Sequence, residues 1–479
     1  MRQIILSTLL LLFPALAFGY DLVIKNGRVM DPESGLDAVR NVGIDGNRIV
    51  AVSKQRLSGD VVVDARGLVV APGFIDLHAH GQDPRSSSFQ VTDGVTTAIE
   101  GEIGVLPVGK WLESQRGKSR PNYGATASHL AARVQVLTGI EPGHVTYAVN
   151  ALRGRTSVDW ANVQLGVDLR NQMYELLEQG VEEGGLGLGL GITYTPGATH
   201  EEIYGLFRLA KALNTPIFVH MRDSRRIGGD RLAPLQEVVS NAAATGASLH
   251  VVHINSSLNE DVQVAMEIIR GARANGVDVT TEAYPYTAGS TRIESAAFDN
   301  FRGDYGSLQW TLTGERLTKE TFDEYRQTGG WVISHGRSET TNTWITAQED
   351  IIVASDGVPF VGDASHPRGA GTYARVLGHY VRDLKALSLM TALSKMTLLP
   401  ARRLEVQAPS MRRKGRVQKG ADADLVVFSA EEILDRATYT VPARTSSGIV
   451  HVLVNGEFVV KDSALVEDAF PGQPIKAGT

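Results

Sequence analysis

Eight short, largely apolar segments are spread along the chain, with room for a helix between most of them. They are candidate β-strands, and intervening stretches such as Glu201–Leu213, Asp261–Asn275 and Ser388–Met396 have a helical pattern. Eight strands that alternate with helices predict an α/β fold, a (β/α)8 TIM-like barrel. The candidate strands are Gly73–His80, Thr96–Glu102, Asn122–His129, Gly185–Ile192, Pro216–Arg222, Leu249–Asn255, Val277–Tyr286 and Ile351–Asp356.

Histidines and carboxylates stand at the carboxyl ends of several of these strands. They are His78 and His80, Glu100 and Glu102, His220, His253, and Asp356. In a parallel barrel the carboxyl ends of the strands converge on the face that carries the active site. We therefore expect these side chains to lie close together.

The residue types and their spacing predict a metal site. His78 and His80 are two residues apart, so both imidazoles project from the same face of a strand. Imidazole is a preferred ligand of zinc-type ions, and the site would hold one or two of them. Two divalent ions lower the pKa of a bridging water. Asp356 would bind one of the ions and would act as general base and then as general acid toward the leaving amine.

The acidic pair has the same spacing. Glu100 and Glu102 alternate onto one face of their strand, so either carboxylate could bridge two ions. The sequence leaves open which of them does so and which stands behind the ligands.

The two ends of the chain have a different pattern. Short β-rich stretches and Asn-Gly steps, at Asn26-Gly27 and Asn455-Gly456, are typical of hairpins. We therefore predict a small β-sandwich domain assembled from residues 20–70 and 401–479, with the barrel at residues 71–400.

Residues 1–19 resemble a signal peptide. Arg2 supplies a positive charge, Ile4 to Phe18 are almost wholly apolar, and small residues follow at the end of the segment. The apolar run is short for a membrane span. The sequence therefore predicts export, to the periplasm or a similar compartment, with no membrane attachment after the signal is removed.

Composition excludes some partners and ligands. The chain has 47 basic and 53 acidic residues, a net charge of -6 and no long basic run, which argues against nucleic-acid binding. It has no cysteine, so no thiolate can bind a metal or act as a nucleophile. The expected partner is a small-molecule substrate, and the oligomeric state is not determined by the sequence.

Several longer segments carry a family resemblance. Gly73-Phe-Ile-Asp-Leu-His-Ala-His80 with Gly94-Val-Thr-Thr97 resembles the amidohydrolase superfamily. Within it, the chain resembles N-acyl-D-amino acid deacylases (D-aminoacylases) at Gly189–Gly197, Val219–Asp223, Tyr284–Thr291, Ala354–Gly357, His366–Gly378 and Lys395–Ala401. These segments occur in order, and the resemblance covers nearly the whole chain after residue 20.

The resemblance implies a metal-dependent hydrolase that cleaves the amide between an acyl group and a D-amino acid. It implies that His78, His80, His220 and His253 bind metal and that Asp356 is the catalytic acid and base. Members of the family use a cysteine after the second strand as a ligand, and this chain has the two glutamates there instead. Overall similarity makes N-acyl-D-glutamate the substrate to test first.

Other residues are candidates for substrate binding. A D-amino acid keeps its carboxylate, so a cationic or hydrogen-bonding clamp is expected. The candidates in the matching segments are Tyr194, Arg222, Tyr284, Tyr286, Ser290, Arg292, Arg368 and Arg375. His129 and His366 could contact substrate or pack structurally, and the position of His250 in its strand predicts that it faces the helix layer.

Two other functions fit parts of the pattern. Cyclic-amide or dipeptide hydrolysis, as in dihydroorotases, hydantoinases or metal-dependent dipeptidases, would use a similar set of residues. A degenerate barrel that only binds a solute is disfavoured, because all the ligand positions are filled.

Overall fold

The computed structural model describes residues 19–142, 148–223 and 229–478. Its centre is a barrel of eight parallel strands, in which each strand pairs with the one that precedes it along the barrel. The strands are β6 (Phe74–Asp76), β7 (Val95–Val105), β8 (Asn122–Ser128), β9 (Leu188–Gly191), β10 (Ile217–His220), β11 (Leu249–Val251), β12 (Val279–Ala283) and β16 (Ile352–Val353). A hydrogen bond of 2.9 Å from the amide of His80 to the carbonyl of Gly357 joins the first and last strand ends. The predicted (β/α)8 barrel is confirmed.

Helices surround the barrel because alternate strand residues point outward and are apolar. Leu188, Leu190 and Val219 pack in one cluster with helix residues such as Leu206 and Phe207. The α-helices are α1 (Pro84–Thr92), α2 (Val108–Gln115), α3 (His129–Thr138), α4 (Ala148–Ala151), α5 (Val167–Glu182), α6 (His200–Ala212), α7 (Ala233–Thr245), α8 (Ile254–Leu258), α9 (Val262–Ala274), α10 (Lys319–Thr328), α11 (Glu339–Ala347), α12 (Arg368–Arg375), α13 (Leu389–Met396) and α14 (Leu398–Leu404). A π-helical segment, Val376–Asp383, continues α12.

The interior of the barrel is packed rather than hollow. Ile75, Ile99 and Phe218 form a buried cluster inside the strands. Leu404 of α14 and Ile475 of the C-terminal tail belong to the same cluster, so they close the end of the barrel opposite the histidines. The closed end leaves the carboxyl ends of the strands as the accessible face.

Both ends of the chain contribute to one nine-stranded sheet. The antiparallel pairing of β5 (Val69–Pro72) with β17 (Leu425–Phe428) joins the N-terminal strands to the C-terminal ones. The strands are β1 (Tyr20–Asp31), β2 (Leu36–Asp45), β3 (Arg48–Ser53), β4 (Gly59–Asp64), β5 (Val69–Pro72), β17 (Leu425–Phe428), β18 (Ile449–Val454), β19 (Glu457–Lys461) and β20 (Ala464–Leu465). The predicted composite β-domain is confirmed.

A smaller antiparallel sheet is inserted between β12 and β16. Its strands are β13 (Gly289–Arg292), β14 (Leu308–Trp310) and β15 (Trp331–Ser334), with β15 in the middle. An apolar cluster that includes Trp310, Phe322 and Val332 holds it together. Residues of β13 and β15 line the cavity at the open end of the barrel.

The signal-peptide prediction concerns residues that, except for Gly19, lie outside the described ones. Within the described ranges, none of the helices has the length and apolar character needed to cross a membrane.

Candidate active site

His78 and His80 follow β6 and turn toward each other. Their Nε2 atoms are 3.1 Å apart. The opposite nitrogens face carboxylates: Nδ1 of His78 is 2.6 Å from Glu282 Oε1, and Nδ1 of His80 is 2.9 Å from Glu100 Oε2. A carboxylate behind each Nδ1 places the proton there and leaves Nε2 as the free donor atom.

Glu102 lies between two pairs of histidines. Its Oε2 is 3.3 Å from His78 Nε2 and 3.2 Å from His80 Nε2. Its Oε1 is 2.6 Å from His220 Nδ1 and 2.9 Å from His253 Nε2. Glu102 therefore takes the position shared by the two histidine pairs, and Glu100 lies behind His80.

His220 ends β10, and His253 follows β11 at the same face of the barrel. His253 has a left-handed backbone with a φ of 31°, which turns it out of the strand. His253 Nε2 and His220 Nδ1 are 3.2 Å apart. Burial, helped by the neighbouring His220, lowers the pKa of His253, so the neutral imidazole that a metal requires is favoured.

Asp356 follows β16 and also has a left-handed backbone, with a φ of 51°. Its Oδ1 is 3.3 Å from His78 Nε2, 3.4 Å from His80 Nε2 and 2.9 Å from Arg368 Nη2. Burial alone would raise the pKa of Asp356, but the Arg368 guanidinium and His78 hold it below its usual range. The Asp356 carboxylate is therefore ionised at the centre of the site.

The donor set fits divalent cations. His78, His80 and Glu102 form one group of possible ligands, and Glu102, His220 and His253 form a second, with all donor atoms of each group within 4.8 Å of one another. The buried carboxylates of this site outnumber its permanently charged cations, and buried negative charge is stable only when positive charge balances it. Against the effect of burial, nearby carboxylates raise the pKa of His78 and of His80. The negative potential that causes this shift also favours a divalent ion.

A cavity of about 350 Å³ opens above these groups and includes His80, Glu102 and Asp356 in its wall. Six of the eight residues that the sequence predicts for substrate binding line it: Tyr194, Arg222, Tyr284, Ser290, Arg292 and Arg368. Tyr286 and Arg375 are not among its described lining residues. The Tyr286 hydroxyl is 3.4 Å from Asp435, and Arg375 Nε donates to the carbonyl of Pro285 at 2.6 Å.

Two residues at the site have no place in the sequence prediction. Glu282 is the second-last residue of β12 and lies behind His78; an acidic residue near the carboxyl end of a predicted barrel strand was a signal that could have found it. Arg337 lines the cavity and belongs to the segment after β15, for which the sequence pattern predicts no position in the fold.

The prediction for His250 is wrong. Its ring contacts Phe218, a residue of the barrel interior, and its Nε2 is 2.9 Å from Glu282 Oε2. The prediction assumed that side chains alternate between the two faces of the strand as far as His253. In the structure β11 ends at Val251 and the chain turns before His253.

Two further histidines have structural partners. His129 is buried against Glu202, with 2.8 Å between Nε2 and Oε1, and Glu202 also pairs with Arg133. His366 Nδ1 accepts a hydrogen bond of 3.1 Å from the amide of Arg368, and its Nε2 donates to the carbonyl of Ala288 at 3.1 Å. His366 therefore fixes the start of the helix that carries Arg368.

The chain is similar to known hydrolases over nearly its whole length. A model of the amidohydrolase family matches residues 61–302 and 259–460. An N-acyl-D-glutamate deacylase from Alcaligenes xylosoxydans xylosoxydans is 30% identical over 472 residues, which cover 91% of this chain and 93% of that protein. A solved D-aminoacylase structure has a TM-score of 0.79, 25% identity and coverage of 95% of this chain and 100% of the other.

A second solved structure, from work on the functional role of the binuclear metal centre in D-aminoacylase, has a TM-score of 0.78 with the same identity and coverage. The family match spans more than half of the chain. The chain therefore belongs to the amidohydrolase family.

Proposed function

We propose that the protein is a metal-dependent hydrolase that converts an N-acyl-D-amino acid into a carboxylic acid and a free D-amino acid. One observation carries the proposal: a single carboxylate, Glu102, is shared by two histidine pairs at the base of a cavity and lies close to Asp356. The similarity to an N-acyl-D-glutamate deacylase and to D-aminoacylases supports the choice of substrate.

Zinc fits the donor set. His78, His80, His220 and His253 supply imidazole nitrogens and Glu102 supplies the shared carboxylate, so one or two Zn²⁺ ions could be held. When bound, the ions would act as Lewis acids and make a water molecule acidic enough to ionise near neutral pH.

The chain's own residues supply the proton transfer and the orientation. Asp356 is ionised and faces the ligand cluster, so it can accept a proton from water and donate it to the leaving nitrogen. Arg368, 2.9 Å from Asp356, also lines the cavity. A substrate carboxylate beside the scissile amide would lie within reach of its guanidinium.

A hydrolysis screen on zinc-loaded protein tests the function. Paired N-acetyl-D- and N-acetyl-L-amino acids, hydantoins and L-dipeptides would be offered to the wild type and to His220→Ala. We expect hydrolysis of the D-substrates, inhibition by a chelator, and loss of activity and of bound zinc in His220→Ala. Cleavage of hydantoins or L-dipeptides alone would contradict the proposal.

We also propose that the protein is exported, on the basis of the charged start and apolar run of residues 1–19. Expression of the whole chain in a Gram-negative host, followed by fractionation and N-terminal sequencing, tests this. We expect periplasmic protein that starts at or near Tyr20. Cytoplasmic protein with the first residues intact would contradict export.

A further inference from the structure

A second cavity lies at the end of the barrel opposite the proposed active site. It has a volume of about 540 Å³, and its wall includes Pro216, Thr280 and Ile352, which stand at or beside the first residues of three barrel strands. The catalytic groups stand at the other ends of the strands. The cavity is therefore separate from the active site, and its size is typical of a site for a small molecule.

Arg403 of α14 is a buried cation in the wall of this cavity. Its side chain is 3% exposed, and its Nη1 donates to Asp278 Oδ1 at 2.9 Å. Its Nε and Nη2 are buried and have no hydrogen-bond acceptor within the described residues. Burial also lowers the pKa of Arg403, because removal from water disfavours the charged guanidinium. Two unsatisfied N–H groups on a buried cation favour an anionic acceptor.

Nε and Nη2 form the edge of a guanidinium that can bind both oxygens of one carboxylate. Two other arginines of the chain use this edge in that way. Nε and Nη2 of Arg222 donate to the two carboxylate oxygens of Glu237, each at 3.0 Å. Those of Arg28 donate to the two oxygens of Asp37 at 2.6 and 2.7 Å. The corresponding edge of Arg403 has the geometry for a carboxylate that the described part of the chain does not supply.

Thr215 and Lys211 add further donors to the same cavity. Thr215 is 2% exposed, and its Oγ1 is buried without a partner in the part of the chain that the structure describes. Lys211 is exposed at the rim, and its Nζ lies 3.6 Å from the position that a methyl group on Gly246 would take. A hydroxyl and an ammonium can both donate to an oxyanion.

The rest of the wall narrows the class of ligand. Arg273 and Asp350 pair with each other at 2.6 Å, so their charges are already balanced. Leu399 and Val406 contribute apolar surface, and Val406 is 73% exposed. A free inorganic anion would leave this surface in water, whereas a carboxylate with an apolar body would cover it.

We propose that this cavity is a second ligand site, in which Nε and Nη2 of Arg403 bind the carboxylate of a small organic acid. Thr215 and Lys211 are further donors to the carboxylate, and the apolar body of the acid lies against Leu399 and Val406. The inference does not depend on the proposed reaction, because it concerns the opposite end of the barrel.

The test compares an organic carboxylate with its neutral amide. Binding of hexanoate, hexanamide and inorganic phosphate to the zinc-loaded full chain would be measured by ligand-detected NMR for the wild type, Arg403→Met, Arg403→Lys and Thr215→Val. Arg412→Met, which removes an exposed arginine outside the cavity, is the matched control. Arg368→Met reports on carboxylate binding in the catalytic cavity.

We expect the wild type to bind hexanoate at least about tenfold more tightly than hexanamide or phosphate. Arg403→Met should weaken hexanoate binding about 30-fold, because it removes the charge and both donors of the edge. Arg403→Lys should recover part of the loss, since it keeps the charge but not the forked geometry. Thr215→Val keeps the shape of its side chain and should weaken binding about fivefold, which tests the site even if Arg403→Met does not fold. Arg412→Met and Arg368→Met should keep the wild-type affinity.

Three results would overturn the inference. One is wild-type affinity for hexanoate in Arg403→Met or, if that variant does not fold, in Thr215→Val. Another is loss of hexanoate binding in Arg368→Met, which would place the carboxylate in the catalytic cavity. The third is binding of hexanamide or phosphate as tight as that of hexanoate, which would indicate a site for apolar molecules or for inorganic anions. None of these measurements requires turnover, so they are independent of the outcome of the hydrolysis screen.

Discussion

Glu282 accepts a hydrogen bond from Nδ1 of His78 at 2.6 Å, and its other oxygen is 2.9 Å from Nε2 of His250. His250 Nδ1 is in turn 2.7 Å from the Thr280 hydroxyl. This buried chain fixes the ring of His78 from the side opposite the proposed metal site. Such partners commonly set the affinity of a site as much as its geometry.

Glu282→Gln should therefore weaken zinc binding by about tenfold, because the amide keeps the shape but loses the charge that makes His78 a better donor. Zinc affinity would be measured by competition with a chromophoric chelator. Glu178→Gln, which removes an exposed carboxylate, is the control. Equal zinc affinities for the Glu282 variant and the wild type would contradict a positioning role.

The two glutamates of β7 should differ in their effect on metal content. Glu102→Gln removes the carboxylate shared by both histidine pairs, so we expect a lower zinc content and at least about 100-fold weaker binding. Glu100→Gln should keep the number of bound ions, since Glu100 lies behind His80, 2.9 Å from its Nδ1, rather than between the two histidine pairs. Elemental analysis of the two purified variants decides the matter, and the reverse order would contradict the assignment.

Asp356→Asn should separate chemistry from metal binding. The amide cannot accept and return a proton, so kcat should fall by about 10²- to 10⁴-fold while most of the zinc is retained. Turnover and zinc content would be measured on the same preparation. A variant with normal turnover would show that another group transfers the proton.

The buried group of His129, Glu202 and Arg133 should matter for stability only. His129 and Arg133 share Glu202, and Arg133 is fully buried and lies 2.6 Å from the carboxylate. Arg133→Met leaves that carboxylate without its cation and should lower the free energy of unfolding by about 3–5 kcal/mol. Urea denaturation measures the loss, and kcat/KM of the folded protein at low temperature should be unchanged. A large fall in kcat/KM would instead indicate a catalytic role.

Lys395 should make stability depend on pH. Burial lowers the pKa of its ammonium from 10.5 to about 7, although Nζ donates to the carbonyl of Thr346 at 2.6 Å. Between pH 7 and 10.5 the unfolded chain binds a proton that the folded protein lacks, so the free energy of unfolding rises with pH in that window.

The pH dependence of the unfolding free energy that Lys395 causes should disappear when its amine is removed. The difference in unfolding free energy between the wild type and Lys395→Met should grow by about 1 kcal/mol per pH unit from pH 7 to 9. Urea denaturation at pH 7, 8 and 9 measures it, with other groups cancelling in the difference. A difference that does not change with pH would show that Lys395 stays charged in the fold.

Much of the fold could be read from local patterns. Buried parallel strands are nearly continuous apolar runs, so strands such as Ile217–His220 and their helices are visible in the sequence. The composite β-domain was predictable in part from turn signals. Asn455-Gly456 lies in the turn between β18 and β19, as predicted, whereas the hairpin prediction for Asn26-Gly27 is wrong, because these residues lie at an irregularity inside β1. The candidate ligands were predictable because the active-site side chains of such a barrel stand at the carboxyl ends of its strands.

Other features depend on pairs of residues that are distant in the chain. Glu282 meets His78 across 204 positions, and the meeting depends on the closure of the barrel rather than on either local pattern. His250 was misplaced because a turn at His253 interrupts the alternation of the strand.

The sequence by itself determined the barrel, the composite β-domain and the group of residues that could bind metal. The tertiary structure decided that Glu102 rather than Glu100 is shared, and that Arg337 rather than Arg375 faces the cavity. The physical reason is that strand and helix periodicities are local, whereas a bulged strand and an inserted sheet orient side chains only through contacts with the rest of the fold.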